Sequence, residues 1–179
     1  MKTFLRTILY LALLVWLGAE IFFPIAAAVT FTALTPDTHT AGTIVGHLLR
    51  VLHGMGLVSG MVALAVLALA PWFGVYKPRA ALAPMILLVV MIACTVYSQN
   101  GIIPAMERDR IAAGGAIDTT NASNPYTAHF NSLHRRSEIV EEAVLLLGLV
   151  TVVLVAVLYH RRGPRTHISA VVWPQFESL

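Results

Sequence analysis

Four long apolar stretches constrain this chain more than any other feature of its sequence. They cover residues 7–31, 41–70, 80–99 and 143–159. Because an α-helix rises about 1.5 Å per residue, about 20 residues cross the hydrocarbon of a bilayer. Lipid cannot satisfy backbone polar groups, and these stretches lack the alternation of a barrel strand. The sequence therefore predicts an all-α fold, with a four-helix transmembrane bundle over residues 1–165 and a C-terminal tail over residues 166–179.

The charge content agrees with a membrane location. Of the 179 residues, 58% are hydrophobic and 12% are charged, about half the charged fraction of a soluble domain. The net charge of +3 comes from basic residues at the ends of apolar stretches, not from a stripe that would bind nucleic acid. The expected partners are the lipid bilayer and other membrane subunits or a second copy. The sequence contains no GxSxG, P-loop or HExxH motif, so a non-catalytic role is favoured over an enzyme.

The distribution of Lys and Arg predicts the topology. Basic residues precede the first helix, separate the second from the third and follow the fourth: Lys2, Arg6, Lys77, Arg79, Arg161, Arg162 and Arg165. The positive-inside rule then places both termini in the cytoplasm and a long loop, residues 101–137, outside. That loop holds four arginines, which conflicts mildly with the rule. We expect a multi-pass protein of the cell membrane, the inner membrane of a bacterium. The first stretch is too long for a signal peptide, so it is interpreted as a retained helix.

Several helix ends can be read from the sequence. Thr40 is a candidate cap for the second helix, and Asn124-Pro125 is a cap followed by Pro at the first helical position. The fourth helix would then begin well before its apolar part and run to about His160. At Pro104 the third helix either kinks and continues or gives way to a separate short helix.

Ionisable residues inside the apolar stretches mark a candidate site, because they are costly in lipid unless they have partners. Glu20 lies near the middle of the first helix. On the second helix, His47, Arg50 and His53 share one face at helical spacing. The third helix ends at Gln99-Asn100. We expect a structural polar cluster of Glu20, Arg50, His53, Gln99 and Asn100, with the Glu20 carboxylate within reach of Arg50 or His53.

The fourth helix adds titratable residues on one face, namely His134, Ser137, Glu138 and Glu141. A cofactor site, for haem b or copper, would use His47, His53 and His134 from two helices, and a metal site could add Glu20 and Glu138. Structural ion pairing and solvated helix extensions are the alternatives. Gly56 and Gly60 form a GxxxG pattern on the second helix, which predicts a close helix–helix contact.

Short motifs on the first and fourth helices resemble those of a known family. Trp16-Leu17-Gly18 lies on the first helix, and Leu133-His134 with Ser137 lies on the fourth. This pattern, over residues 11–158, resembles the bacterial membrane domains of unknown function related to eukaryotic transmembrane protein 205. The resemblance implies a four-helix membrane bundle and no particular chemistry. A more distant similarity extends to copper-resistance D proteins and haem-linked membrane protoporphyrinogen oxidases.

Three functions follow from these observations. The favoured one is a non-catalytic accessory or interaction protein of the membrane, which needs only a packed bundle. The second is a haem- or copper-binding protein that uses the histidines. The third is a small transporter or proton-handling protein built on Glu20 and the histidines. The third is weakened because the inner, cytoplasmic half of the predicted bundle is nearly free of polar side chains and offers no visible exit path.

Overall fold

The computed structural model describes residues 1–114, 117 and 124–160, with the backbone alone at residues 159 and 160. The predicted tail lies outside the described residues. The described chain is helical and contains no strand: α1 (Lys2–Ala33), α2 (Thr38–Leu69), α3 (Pro78–Tyr97), a π-helical segment (Ser98–Ile102), α4 (Ile103–Ala112) and α5 (Pro125–His160).

Four helices of the described chain are long and apolar enough to cross a membrane. They are α1, α2, the continuous rod from α3 through α4, and α5. The predicted all-α architecture is therefore confirmed. The predicted segment 101–137 contains α4 and the first turns of α5, so much of it is helical.

The four helical rods close into a ring. Helix α1 packs against α2, α2 against α3, α3 against α5, and α5 against α1. Large apolar side chains of all four rods fill the centre, among them Leu13, Leu67, Leu88, Met91 and Val155. These helices are apolar on every face. Their inward side chains are therefore buried against each other, and their outward side chains need lipid around them.

The bundle has two ends of different character. The N-terminal end carries Lys2, Lys77 and Arg79. The other end, here called the polar end, carries the α1–α2 turn, α4 and the first turns of α5. Which end faces the cytoplasm stays a prediction.

Two helix starts lie close to their predicted positions. Helix α5 begins as expected, with the Asn124 side chain accepting a hydrogen bond from the Tyr126 amide. Helix α2 begins earlier than predicted, because Asp37, not Thr40, is its cap. The Asp37 carboxylate accepts a hydrogen bond from the Thr40 amide at 3.0 Å. Hydrogen bonds from the Thr40 side chain and amide lower the pKa of Asp37.

The third rod continues past Pro104, as the first of the two alternatives predicts, and no separate short helix begins there. It continues through the π-helical segment, in which the Ile103 amide donates to the Ser98 carbonyl five residues earlier. Such wide turns insert one extra residue into an α-helix and often occur at functional sites. This segment brings Ser98 and Gln99 to the middle of the bundle.

Candidate functional site: a buried polar network

A buried histidine on α2 joins three of the four rods. His53 is almost completely buried. Its Nδ1 lies 2.9 Å from Oε1 of Gln99, in the π-helical segment. Its Nε2 lies 2.8 Å from Oε1 of Glu141, on α5. One ring nitrogen thus bonds to the third rod, which packs beside α2, and the other bonds across the bundle to α5.

The Glu141 carboxylate is the meeting point of these contacts. Its Oε1 also accepts a hydrogen bond from the buried Ser98 hydroxyl at 3.1 Å. Its Oε2 is buried and has no hydrogen-bond partner among the described residues. One oxygen of Glu141 therefore takes part in two contacts, whereas the other takes part in none.

Helix α1 contributes a second buried carboxyl to the same region. Glu20 accepts a hydrogen bond from the indole N–H of Trp16 at 3.1 Å. Both side chains are buried, and Glu20 interacts electrostatically with Glu141 and His53. We call these six residues the buried network: Trp16, Glu20, His53, Ser98, Gln99 and Glu141.

Two glycines of α2 make room for the Trp16 ring. A Cβ built on Gly56 would lie 2.5 Å from Nε1 of Trp16, and one on Gly60 would lie 2.5 Å from its Cζ3. Neither distance is compatible with a side chain, so the indole occupies the space that glycine leaves. The predicted close helix–helix contact at Gly56 and Gly60 is present, between α2 and α1.

The structure brings together only some of the residues that the sequence singled out. Glu20, His53 and Gln99 belong to the buried network. Arg50 and Asn100 are exposed. Glu20 was predicted to bond to Arg50 or His53. Its carboxylate instead accepts from Trp16, because the indole lies one helical turn away on the same face, and it interacts with His53 only electrostatically.

The other two candidate histidines lie outside the network. His47 is exposed and bonds to the Thr43 carbonyl of its own helix. The His134 side chain is 60% exposed and pairs with Glu138, 59% exposed, one turn along α5. The structure therefore does not place His134 opposite the α2 histidines, as a cross-helix haem or copper site requires. Within the described residues, no group of three His, Cys, Asp or Glu side chains is arranged to hold a metal ion.

Three members of the network were not among the predicted site residues. Ser98 and Trp16 gave no signal as isolated residues, although Trp16 and Glu20 are spaced four apart on one helix, as hydrogen-bonding neighbours are. Glu141 was visible on the shared face of the fourth helix, but its position did not distinguish a buried group from a solvated one.

A second group of polar contacts ties α4 to its neighbours at the polar end. His129 of α5 lies 2.8 Å from the Asp109 carboxylate of α4. The Arg110 guanidinium donates to both oxygens of Glu107, at 2.7 and 3.0 Å, and to the Thr43 hydroxyl of α2 at 3.1 Å. These contacts fix α4 between α2 and α5.

Comparison with known protein families identifies a family for this chain. A family described as Domain of unknown function (DUF4149) matches residues 11–110, more than half of the chain. The chain belongs to this family. The DUF4149 match covers α1 to most of α4 and includes Trp16, Glu20, His53, Ser98 and Gln99 of the network, whereas Glu141 lies beyond it. No curated protein and no solved structure matches the chain.

Proposed function

We propose that this DUF4149 protein is a non-catalytic accessory protein that binds an apolar transmembrane helix of another membrane protein. The proposed binding surface is the outer part of α1, defined here as the α1 face beyond Glu20 with Ile21, Phe22, Ile25 and Val29. The observation that supports it is a mismatch between the two sides of the bundle at the polar end.

The buried network marks one level in all four rods. Hydrogen bonds join its members on α2, the third rod and α5, and Glu20 of α1 interacts electrostatically with His53 and Glu141. Beyond that level, the outer part of α1 exposes large apolar side chains, with Ile25 56% and Val29 62% exposed. At the same distance beyond the network, α5 exposes Arg135 and Arg136. A membrane boundary that keeps Arg135 and Arg136 out of the hydrocarbon leaves the apolar side chains of the outer part of α1 outside it as well. A boundary that covers those apolar side chains with lipid would also place the two arginines in lipid.

The lengths of the rods favour a boundary near the network. From Pro78 to Tyr97, α3 has 20 residues, which is about 30 Å and already spans the hydrocarbon. The outer part of α1 then extends beyond the lipid with its apolar face uncovered. Exposed apolar surface of this kind marks interaction sites. A transmembrane helix of the partner that likewise continues beyond the lipid, with a matching apolar face, would cover it.

We also propose that the protein lies in the cell membrane of a bacterium, with both termini in the cytoplasm, and that it is related to transmembrane protein 205. Most of the side chains behind that resemblance are buried packing residues here: Trp16, Leu17, Leu133 and Ser137. A shared packing arrangement is what a relation between such bundles would preserve.

Site-specific photo-cross-linking in intact cells tests the binding surface. A photo-reactive residue at Ile25 or Val29 should give a discrete cross-linked product. Leu14, which is equally apolar and 67% exposed on the other side of the network, is the matched control and should give only lipid adducts. A product of twice the chain mass would make the partner a second copy. Equal lipid adducts at all three positions would show that the bundle tilts to bury this face in lipid, and the proposal would fail.

A further inference from the structure

We infer that the buried network is a proton-binding site, with one proton held between His53 Nε2 and Glu141 Oε1 in addition to the proton on His53 Nδ1. The inference is independent of the proposed accessory role. It rests on counting donors and acceptors around the ring.

The Nδ1 atom of His53 carries a hydrogen. Its partner is the carbonyl oxygen of the Gln99 amide, at 2.9 Å. An amide oxygen can only accept, so Nδ1 must carry a hydrogen and donate it. A neutral imidazole has one N–H, and that hydrogen is now assigned.

The second nitrogen of the ring then lacks a hydrogen of its own. Nε2 of a neutral ring would point a lone pair at Oε1 of Glu141, only 2.8 Å away. An ionised carboxylate is also an acceptor only. Two lone pairs at this distance repel each other, and a buried site has little water to screen them. A proton between the two atoms removes this repulsion.

The Ser98 hydroxyl does not supply that proton. It donates to the same Oε1 at 3.1 Å, so the oxygen accepts from Ser98 while it contacts His53. The extra proton belongs either to the ring, giving an imidazolium, or to the Glu141 carboxyl. Both descriptions contain the same number of protons.

The charges around the pair favour holding this proton. The titratable groups that face it are Glu141 from α5 and Glu20 from α1, since Ser98 and Gln99 from the π-helical segment carry no charge. With an ionised Glu20, a neutral ring and an ionised Glu141, the network would hold two negative charges away from water, which is costly in a membrane bundle. The added proton lowers the net negative charge of the network from two to one, whichever of the two groups carries it.

Nuclear magnetic resonance of the full-length protein in detergent micelles tests the site at neutral pH. With ¹⁵N-labelled histidine, His53 can be assigned by elimination, using variants of the other six of the seven histidines, so that His53 itself is never replaced. Infrared spectroscopy of the same samples reports the C=O stretch of protonated carboxyl groups.

The wild-type protein should show one of two signatures. Either both ring nitrogens of His53 carry hydrogen, or Nδ1 alone does and a protonated carboxyl band is present. The isosteric change Glu141→Gln should abolish whichever signature is observed, whereas Glu138→Gln, at an exposed position of the same helix, should leave it unchanged.

The inference is overturned by a neutral ring with its hydrogen on Nε2 and no carboxyl band that depends on Glu141. That result would mean that the Gln99 amide is turned to donate to Nδ1, and that no additional proton is bound. A signature that survives Glu141→Gln would overturn it equally.

Discussion

The indole ring of Trp16 lies so close to Gly60 that a Cβ on that glycine would stand 2.5 Å from Cζ3. The same indole donates its N–H to Glu20. One side chain therefore fills the contact between α1 and α2 and also satisfies a carboxyl group inside the bundle. A substitution that disturbs the contact between Trp16 and Gly60 should therefore also disturb the hydrogen bond to Glu20, and the reverse.

Replacing either network-facing glycine of α2 with alanine should destabilise the protein. Gly56→Ala and Gly60→Ala each put a methyl group into the space of the rigid Trp16 ring, and overpacking of this kind costs roughly 1–3 kcal/mol. Gly54→Ala is the matched control, since nothing lies within 4 Å of its Cβ position and alanine favours a helix. Thermal unfolding in detergent measures the three variants. Equal melting temperatures for Gly54→Ala and Gly60→Ala would contradict the packing described here.

Removing the histidine at the centre of the network should cost more. His53→Phe leaves Glu141 and Gln99 without their buried partner. Each buried group left without a hydrogen bond costs about 1–3 kcal/mol, and an ionised one costs more. His134→Phe changes the same residue type at an exposed ion pair, which contributes about 0–1 kcal/mol. Chemical denaturation followed by circular dichroism would compare them. If the two changes cost the same, the network does not stabilise the bundle.

The two possible replacements of Glu20 should differ in effect. Glu20→Gln keeps an oxygen that accepts the Trp16 hydrogen, so the fold should tolerate it. Glu20→Leu leaves the buried indole N–H unpaired, at a cost of about 1–3 kcal/mol. Because Trp16 reports on its own surroundings, its fluorescence in a variant lacking Trp72 and Trp173 gives a second measurement. The emission should shift with Leu and stay nearly constant with Gln.

The cap of α2 should make a small part of the stability depend on pH. The pKa of Asp37 is lower in the folded protein than its ordinary value of 3.8. Its contribution is therefore present above that value and is lost as the pH falls through the lower, folded-state pKa. Asp37→Asn caps a helix without titrating, so it should show a smaller loss of melting temperature between neutral and strongly acidic pH. An identical acid response of both proteins would exclude Asp37 as its source.

Reporter fusions test the orientation of the bundle. The distribution of Lys and Arg predicts where each fusion point lies. A reporter placed after Arg162 should report a cytoplasmic location, and one inserted between residues 116 and 123 should report a location outside the cytoplasm. Cys94 is the single cysteine, so labelling of cysteines introduced into a Cys94→Ala variant offers an independent measurement. An external signal after Arg162 would reverse the proposed topology.

The number of membrane-spanning helices could be predicted because it depends on local apolar content, which the sequence displays directly. The length of the third rod could not, since its polar continuation through α4 has no apolar signal. The contact at Gly56 and Gly60 could also be predicted, since small residues at helical spacing have few uses in a membrane. The pairing of side chains could not. Whether Glu20 bonds to Arg50 or to Trp16 depends on how α1 is rotated against α2, and no single-helix pattern contains that angle.

The buried position of Glu141 was also beyond the sequence. Its neighbours Glu138 and Glu142 are exposed, so the local composition resembles a solvated turn. Burial arises because Ser98 and His53 face it from two other rods, a relationship between residues more than 40 positions apart.

The π-helical segment has a consequence for how the two halves of the third rod can change. One inserted residue offsets the register of everything that follows by about 100°, so the azimuth of α4 is set separately from that of α3. Deleting a single residue between Ser98 and Ile102 would restore a regular helix and swing Asp109 and Arg110 away from His129 and Thr43 while leaving α3 in place. That one extra residue thus rotates the charged α4 about the helix axis relative to the lipid-facing α3, and it does so without changing how α3 packs in the bundle.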